Sequence, residues 1–137
     1  MSQMNYLEPT DQQLARLSTR SDRAQPVVMI NLLRFREQAV YPEGVSQAPC
    51  SGREAYQRYA SGVTPILAAI GADVRFLAAV VQMVIGPEDQ RWDEAILVEY
   101  PSLDAFLGMV GSPEYLEIMA HRQAALADSR LIMTRAI

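Results

Sequence analysis

The sequence predicts an α+β domain in which one antiparallel sheet carries helices on one of its faces. Three observations carry that prediction. Apolar stretches at Val27–Phe35, Val74–Ile85, Trp92–Tyr100 and Leu131–Arg135 read as strands. Segments with cap residues and helical spacing follow the first and the third of these stretches. The turn residues Gly86-Pro87-Glu88-Asp89 make a hairpin of the second and third. The resulting order, strand–helix–strand–strand–helix–strand, is the ferredoxin-like arrangement.

A chain of 137 residues suits one such domain. Its boundaries are read as 26–137, preceded by an N-terminal arm, 1–25. The arm is polar, and Thr10-Asp11-Gln12-Gln13 gives it one capped helix with a narrow apolar edge at Leu14 and Leu17. The first strand, Val27–Phe35, is apolar on both faces except for Asn31 and Arg34. Glu37 to Cys50 contains Pro42, Gly44 and Pro49 and has no period. It reads as a mobile connection or a lid.

Ser51-Gly52-Arg53-Glu54 is a second capping box. Tyr56, Tyr59, Val63, Ile66, Leu67 and Ile70 then form one helical face, with Pro65 expected to bend the helix and Gly71 to end it. The long second strand is expected to bulge near Ala78-Ala79. Pro101 ends the third strand. Ser102 caps a short helix, and Ser112-Pro113 recaps a second segment whose stripe is Tyr115, Ile118, Met119, Arg122 and Leu126.

Composition narrows the function classes. The net charge of -4 argues against a nucleic-acid surface, so no nucleic acid is expected as a partner. No apolar run is long enough to span a bilayer, and Met1–Tyr6 has no basic flank or apolar core of a leader. The expected compartment is therefore the cytoplasm, with no membrane partner. One cysteine, Cys50, and one histidine, His121, leave nothing to build a zinc site, so no metal is expected. No cofactor is expected either.

The second strand is apolar on both faces, although helices of this unit cover only one. The uncovered face calls for a partner. Two copies packed sheet to sheet satisfy it, which predicts a homodimer around a closed or nearly closed barrel.

The runs Glu99-Tyr100-Pro101-Ser102 and Ser112-Pro113-Glu114-Tyr115, followed by Arg122, resemble the bacterial domain of unknown function 1330 family. Val28 to Phe35 and Gly86 to Glu94 resemble a longer branch of it. The resemblance covers roughly residues 26–135 and implies the dimeric α/β-barrel superfamily. Relatives there include cofactor-free monooxygenases, isomerases, haem-using enzymes and ligand-sensing domains. It therefore implies a small-molecule pocket between sheet and helices, with a cofactor-independent oxygenase or isomerase as the leading chemistry. A non-catalytic ligand-binding or interaction dimer is the alternative, and a haem protein with His121 axial and Asn31 distal is a third.

Arg122 falls on an apolar stripe, so its charge calls for a carboxylate, Glu99 or Glu94, or for a bound anion. His121 stands beside that stripe as a candidate general base, with solvation as the plainer alternative. Glu99, one residue from the strand end, is placed to orient His121, to pair with Arg122 or to bond backbone amides. Asn31 is a candidate to hold a carbonyl, or to satisfy a buried backbone group. Tyr56 and Tyr59 are candidates to line the pocket, or are simply core. Ser112 and Tyr115 read as cap and core rather than as catalysts.

Overall fold

The structure, a computed structural model, describes residues 5–137. The expectations that rest on Met1–Met4 lie outside the described residues. The elements run α1 (Asp11–Ser18), β1 (Val27–Phe35), α2 (Gly52–Ala69), β2 (Asp73–Ala79), β3 (Glu94–Tyr100), α3 (Leu103–Val110), α4 (Pro113–Ala125) and β4 (Leu126–Thr134). The four strands form one antiparallel sheet in the order β2-β3-β1-β4. This is the ferredoxin-like topology.

Strand alternation sorts the side chains. Val27, Met29 and Leu33 of β1 and Ile96, Val98 and Tyr100 of β3 are buried beneath the helices. Val28, Ile30, Leu32 and Arg34, with Ala95, Leu97 and Glu99, take the other face because successive residues point to opposite sides. That second face has no helix over it and leaves Phe76 53% and Ile132 48% exposed. Both capping boxes form: Thr10 with Gln13, and Ser51 with Glu54. Ser102 and Ser112 accept from Ala105 N and Tyr115 N as the caps of α3 and α4. Helix α2 runs on through Pro65.

The start of α2 is locked by close approach of three chain segments. Gly52 N donates to Arg36 O, and a Cβ at Gly52 would overlap that carbonyl and Ala125 O. Arg36 N in turn donates to Ala125 O. The end of β1, the start of α2 and the α4–β4 junction thus meet at one point.

Three expectations need correction. Strand β2 stops at Ala79, not Ile85, because β3 begins at Glu94 and its partner is Ala79. Past the Val80 N to Asp93 O bond no neighbouring strand offers a ladder, and Val81, Val84 and Ile85 stand almost fully exposed. The bulge lies between Val74 and Phe76 rather than at Ala78-Ala79. Strand β4 begins at Leu126, directly from α4, because Leu126, Asp128 and Ser129 already pair with β1.

The connection from Glu37 to Cys50 is anchored at both ends. Ala39 N donates to Cys50 O, Val40 N donates to Ala124 O, and Cys50 itself is buried. Its middle, 42–49, is exposed, with a turn closed by Val45 N to Pro42 O.

Candidate functional site

A cavity of about 330 Å³ opens between α2 and the helix-covered face of the sheet. Helix periodicity builds one wall. Arg53, Tyr56, Ala60, Val63 and Leu67 recur three or four residues apart and so share one side of α2. Strand alternation builds the other, from Asn31 and Phe35 of β1 and Glu94, Ile96, Val98 and Tyr100 of β3. Edge-strand residues Val74 and Leu77 complete the rim and are 51% and 63% exposed.

The wall is aromatic and the polar groups are few. Phe35 and Tyr56 lie with ring centroids 5.4 Å apart, Tyr56 and Tyr59 at 5.3 Å, and Tyr59 and Tyr115 at 6.0 Å. The Tyr59 and Tyr115 hydroxyls share a hydrogen bond of 3.0 Å, so the Tyr59 hydroxyl already has a protein partner. The Tyr56 hydroxyl has no hydrogen-bond partner among the described residues. Burial pushes its pKa up to about 12, with Arg122 pulling the other way. It is therefore a neutral donor at physiological pH.

Asn31 donates from Nδ2 to Ile96 O at a long 3.4 Å, and its amide oxygen accepts nothing among the described residues. At the mouth Arg53 bonds the Glu94 carboxylate at 3.0 Å and lies over the Phe35 ring at 4.7 Å. An apolar slot with a few convergent polar groups is the usual form of a small-molecule site.

The structure brings together Asn31, Tyr56 and Tyr59 and leaves the other three sequence candidates elsewhere. Glu99 points to the uncovered face and is held by Arg75 at 2.8 Å. It neither pairs with Arg122 nor orients His121. The expected pairing fails because Val98 and Tyr100, the neighbours of Glu99, take the helix side, and a strand cannot turn three successive residues the same way.

Arg122 is answered by a backbone group rather than by a carboxylate. Its Nη1 donates to Leu7 O at 2.6 Å, which ties α4 to the N-terminal arm. Glu94, the other carboxylate expected beside it, is engaged by Arg53. The Arg122 charge still reaches the aromatic wall. Burial raises the pKa of Tyr59 and Tyr100 as well as Tyr56, and Arg122 partly offsets the rise in all three.

His121 belongs to a separate cluster at the root of the 37–50 connection. Its Nδ1 lies 2.7 Å from the Tyr41 hydroxyl, and Arg58 Nη1 donates to that same oxygen at 3.0 Å. With Arg58 as donor, the Tyr41 proton is directed at Nδ1, which fixes the neutral imidazole with its proton on Nε2. Removal from water and then the charge of Arg58 lower the His121 pKa. Asn31 lines the cavity beside α2, and the lining of that cavity does not include His121, so the two do not face each other across it as the two sides of a haem site. Among the described residues, no three His, Cys, Asp or Glu side chains gather as metal ligands.

Phe35, Arg53, Glu94 and Ile96 are cavity residues that sequence reasoning missed. The available signal was register: Asn31 pairs with Ile96, and Glu94 shares the parity of Ile96. Arg53 lies one helical turn before Tyr56 and so on its face.

The fold has close counterparts among known proteins. The RPA0582 protein of unknown function from Rhodopseudomonas palustris is 36% identical, with 98% of each chain covered and a TM-score of 0.89. The methylated form of RPA0582 aligns at 38% identity over 97% of this chain and 96% of that one, also with a TM-score of 0.89. A dimeric ferredoxin-like protein of unknown function from Bacteroides fragilis matches at 14% identity and a TM-score of 0.50, over 81% of this chain and 96% of that one. This third likeness is one of fold. No curated protein matches the chain. Among the described residues, no helix is long and apolar enough to cross a membrane. The family model described as Domain of unknown function (DUF1330) matches residues 45–136, and the chain belongs to that family.

Proposed function

We propose that this protein is a cytoplasmic homodimer whose subunits each hold a small, largely apolar molecule between α2 and the sheet. The observation that carries the reading is the cavity lined by Phe35, Tyr56, Ile96 and Val98, into which Asn31 and the unpartnered Tyr56 hydroxyl bring polar atoms. A volume of about 330 Å³ suits a single-ring or short acyl compound. Tyr56 donates to an oxygen of that compound, and the Asn31 amide offers either a donor or an acceptor. The buried free thiol of Cys50 suits a reducing compartment.

The homodimer rests on the uncovered sheet face. Val28, Ile30, Leu97, Phe76 and Ile132 form an apolar surface on one side of a sheet that covers its other side with helices. A second copy removes that surface from water. The interface expected of an obligate pair exceeds about 2,000 Å² in total.

Calorimetry and thermal melts against a panel of small aromatic and acyl carbonyl compounds test the ligand. A ligand at about 100 times its Kd adds about 2.7 kcal/mol to stability. Tyr56→Phe and Asn31→Leu should each weaken binding by about tenfold, the worth of one hydrogen bond, with little change in the unliganded melt. A panel in which no member shifts the melt counts against the reading.

A second reading is enzymatic: a cofactor-independent oxygenase or isomerase acting on a carbon acid. Glu94 favours it, as the carboxylate on the cavity wall. In that role it takes a proton from the bound carbon acid while Tyr56 and Asn31 hold the developing oxyanion. Glu94→Gln would then abolish turnover while retaining binding, whereas in a pure binding protein no turnover exists to lose.

A further inference from the structure

A second cavity, about 290 Å³, lies at the opposite side of the sheet and has a different chemistry. Its walls include Tyr6, Arg34, Arg91, Trp92, Asp128 and Arg130. Register explains the gathering. Arg34 pairs with Asp128 and Leu32 with Arg130, so β1 and β4 present Arg34, Asp128 and Arg130 at one end of the uncovered face, beyond the apolar surface of Val28, Ile30 and Ile132 on which the homodimer rests. The segment ahead of β3 brings Arg91 and Trp92 to the same end.

Arg130 is fixed in place. Its Nη1 donates to Asp128 Oδ1 and Ser129 O, each at 2.7 Å, and the guanidinium lies over the Tyr6 ring at 4.8 Å and the Trp92 ring at 5.1 Å. Asp128 is buried, which works against its charge. The hydrogen bonds from Tyr6 N, Arg130 and Ser129 N outweigh that and hold its pKa below the ordinary carboxylate value. It therefore stands ionised and is consumed by Arg130.

Arg34 and Arg91 have no hydrogen bond or ion pair among the described residues, and no carboxylate besides Asp128 lines the cavity. Three guanidiniums against one carboxylate leave a surplus of two positive charges. This surplus sits in a chain whose net charge is -4, so a general basic character does not account for it.

We infer that this cavity binds a compact dianion, of the dicarboxylate or phosphate type, with Arg34 and Arg91 as its direct ligands and Arg130 as a preset third. Guanidiniums bind such oxygens through paired N–H donors and keep their charge at any physiological pH. A dianion balances the surplus. The rings of Tyr6 and Trp92 carry Arg130 on their faces and so act as its platform. The site is independent of the α2 cavity and shares no lining residue with it.

Titration calorimetry of the full chain with succinate and, separately, with inorganic phosphate tests this at low ionic strength. Saturable binding of at least one of them is expected, weakening as salt rises. Phosphate tighter than succinate assigns the phosphate class, and the reverse order the dicarboxylate class. Arg34→Gln combined with Arg91→Gln breaks no bond within the described residues and should fold as the wild type does. It should lower affinity more than tenfold, whereas Arg16→Gln, a basic residue on α1 away from the cavity, should not. Absence of binding by the wild type to either anion overturns the inference, and so does undiminished binding by the double variant with its melt unchanged.

Discussion

Arg122 donates to the carbonyl of Leu7 at 2.6 Å, across 115 residues of chain. A cation on the half-buried stripe of α4 thus holds down the N-terminal arm. The arm is also tied to β4, where Tyr6 N donates to Asp128 Oδ1 and the Ser129 hydroxyl donates to Tyr6 O. Arg122→Met should loosen the arm and leave the core intact, at a cost of about 1.5–3 kcal/mol for a charged hydrogen bond. Hydrogen exchange should rise in residues 5–18 and stay slow in β1 and β3. A uniform rise over the whole sheet would contradict this assignment.

His121 sets a pH dependence whose sign follows from its surroundings. Its folded pKa lies below the ordinary 6.5, through loss of hydration first and the Arg58 charge second. The folded state thus binds this proton less readily than the unfolded chain does. Its contribution to stability is complete above about pH 6.5 and is lost as pH falls through the folded pKa. Since this is the chain's only histidine, one imidazole resonance reports it. Nuclear magnetic resonance titration should give a value below 6.5, and Arg58→Gln should move it upward. A value at or above 6.5 would remove the account.

Gly52→Ala should be the costliest methyl addition at an α2 position. The new Cβ meets backbone oxygens of Arg36 and Ala125, which cannot rotate away as a side chain can. Overpacking of this kind costs about 1–3 kcal/mol. Urea denaturation should show the loss, and a midpoint equal to that of the wild type would mean that the junction relaxes freely.

Much of the fold was legible in the sequence because its signals are local. Thr10, Ser51, Ser102 and Ser112 each announce a helix within four residues, and the β1 pattern fixes its own two faces. The overlong reading of β2 shows what local signals lack. Val81, Val84 and Ile85 have every propensity for a strand, yet a strand needs a neighbour, and β3 does not extend far enough to give one. The site was legible in part for the same reason. Tyr56 and Tyr59 follow from helical spacing and Asn31 from its place in an apolar strand. Glu99 and Arg122 carried the chemistry of an ion pair, but which carboxylate meets which cation depends on face and register. Arg75 lies in the bulge between Val74 and Phe76 and reaches Glu99 from there, and Leu7 belongs to an arm whose docking no local pattern encodes.

The uncovered sheet face predicts the state of association. Ile132→Glu places a charge on its apolar surface, in the edge strand β4 beside Ile30. Multi-angle light scattering should show the wild type as a dimer at micromolar concentration, and the variant as a monomer or as aggregate. A wild type that runs as a stable monomer would refute the homodimer.

The cavity between α2 and the sheet is the centre of the functional account, and filling it is the most direct test. Ala60 lines it from α2, so Ala60→Phe puts a ring where the ligand would sit. The measurement is two-dimensional NMR of both proteins during titration with a small aromatic carbonyl compound taken from the melt panel. In the wild type the shifts should concentrate at Asn31, Tyr56 and Ile96 and saturate, and in a folded Ala60→Phe protein they should vanish. Saturable shifts that map elsewhere, or that persist unchanged when the cavity is filled, would contradict the account.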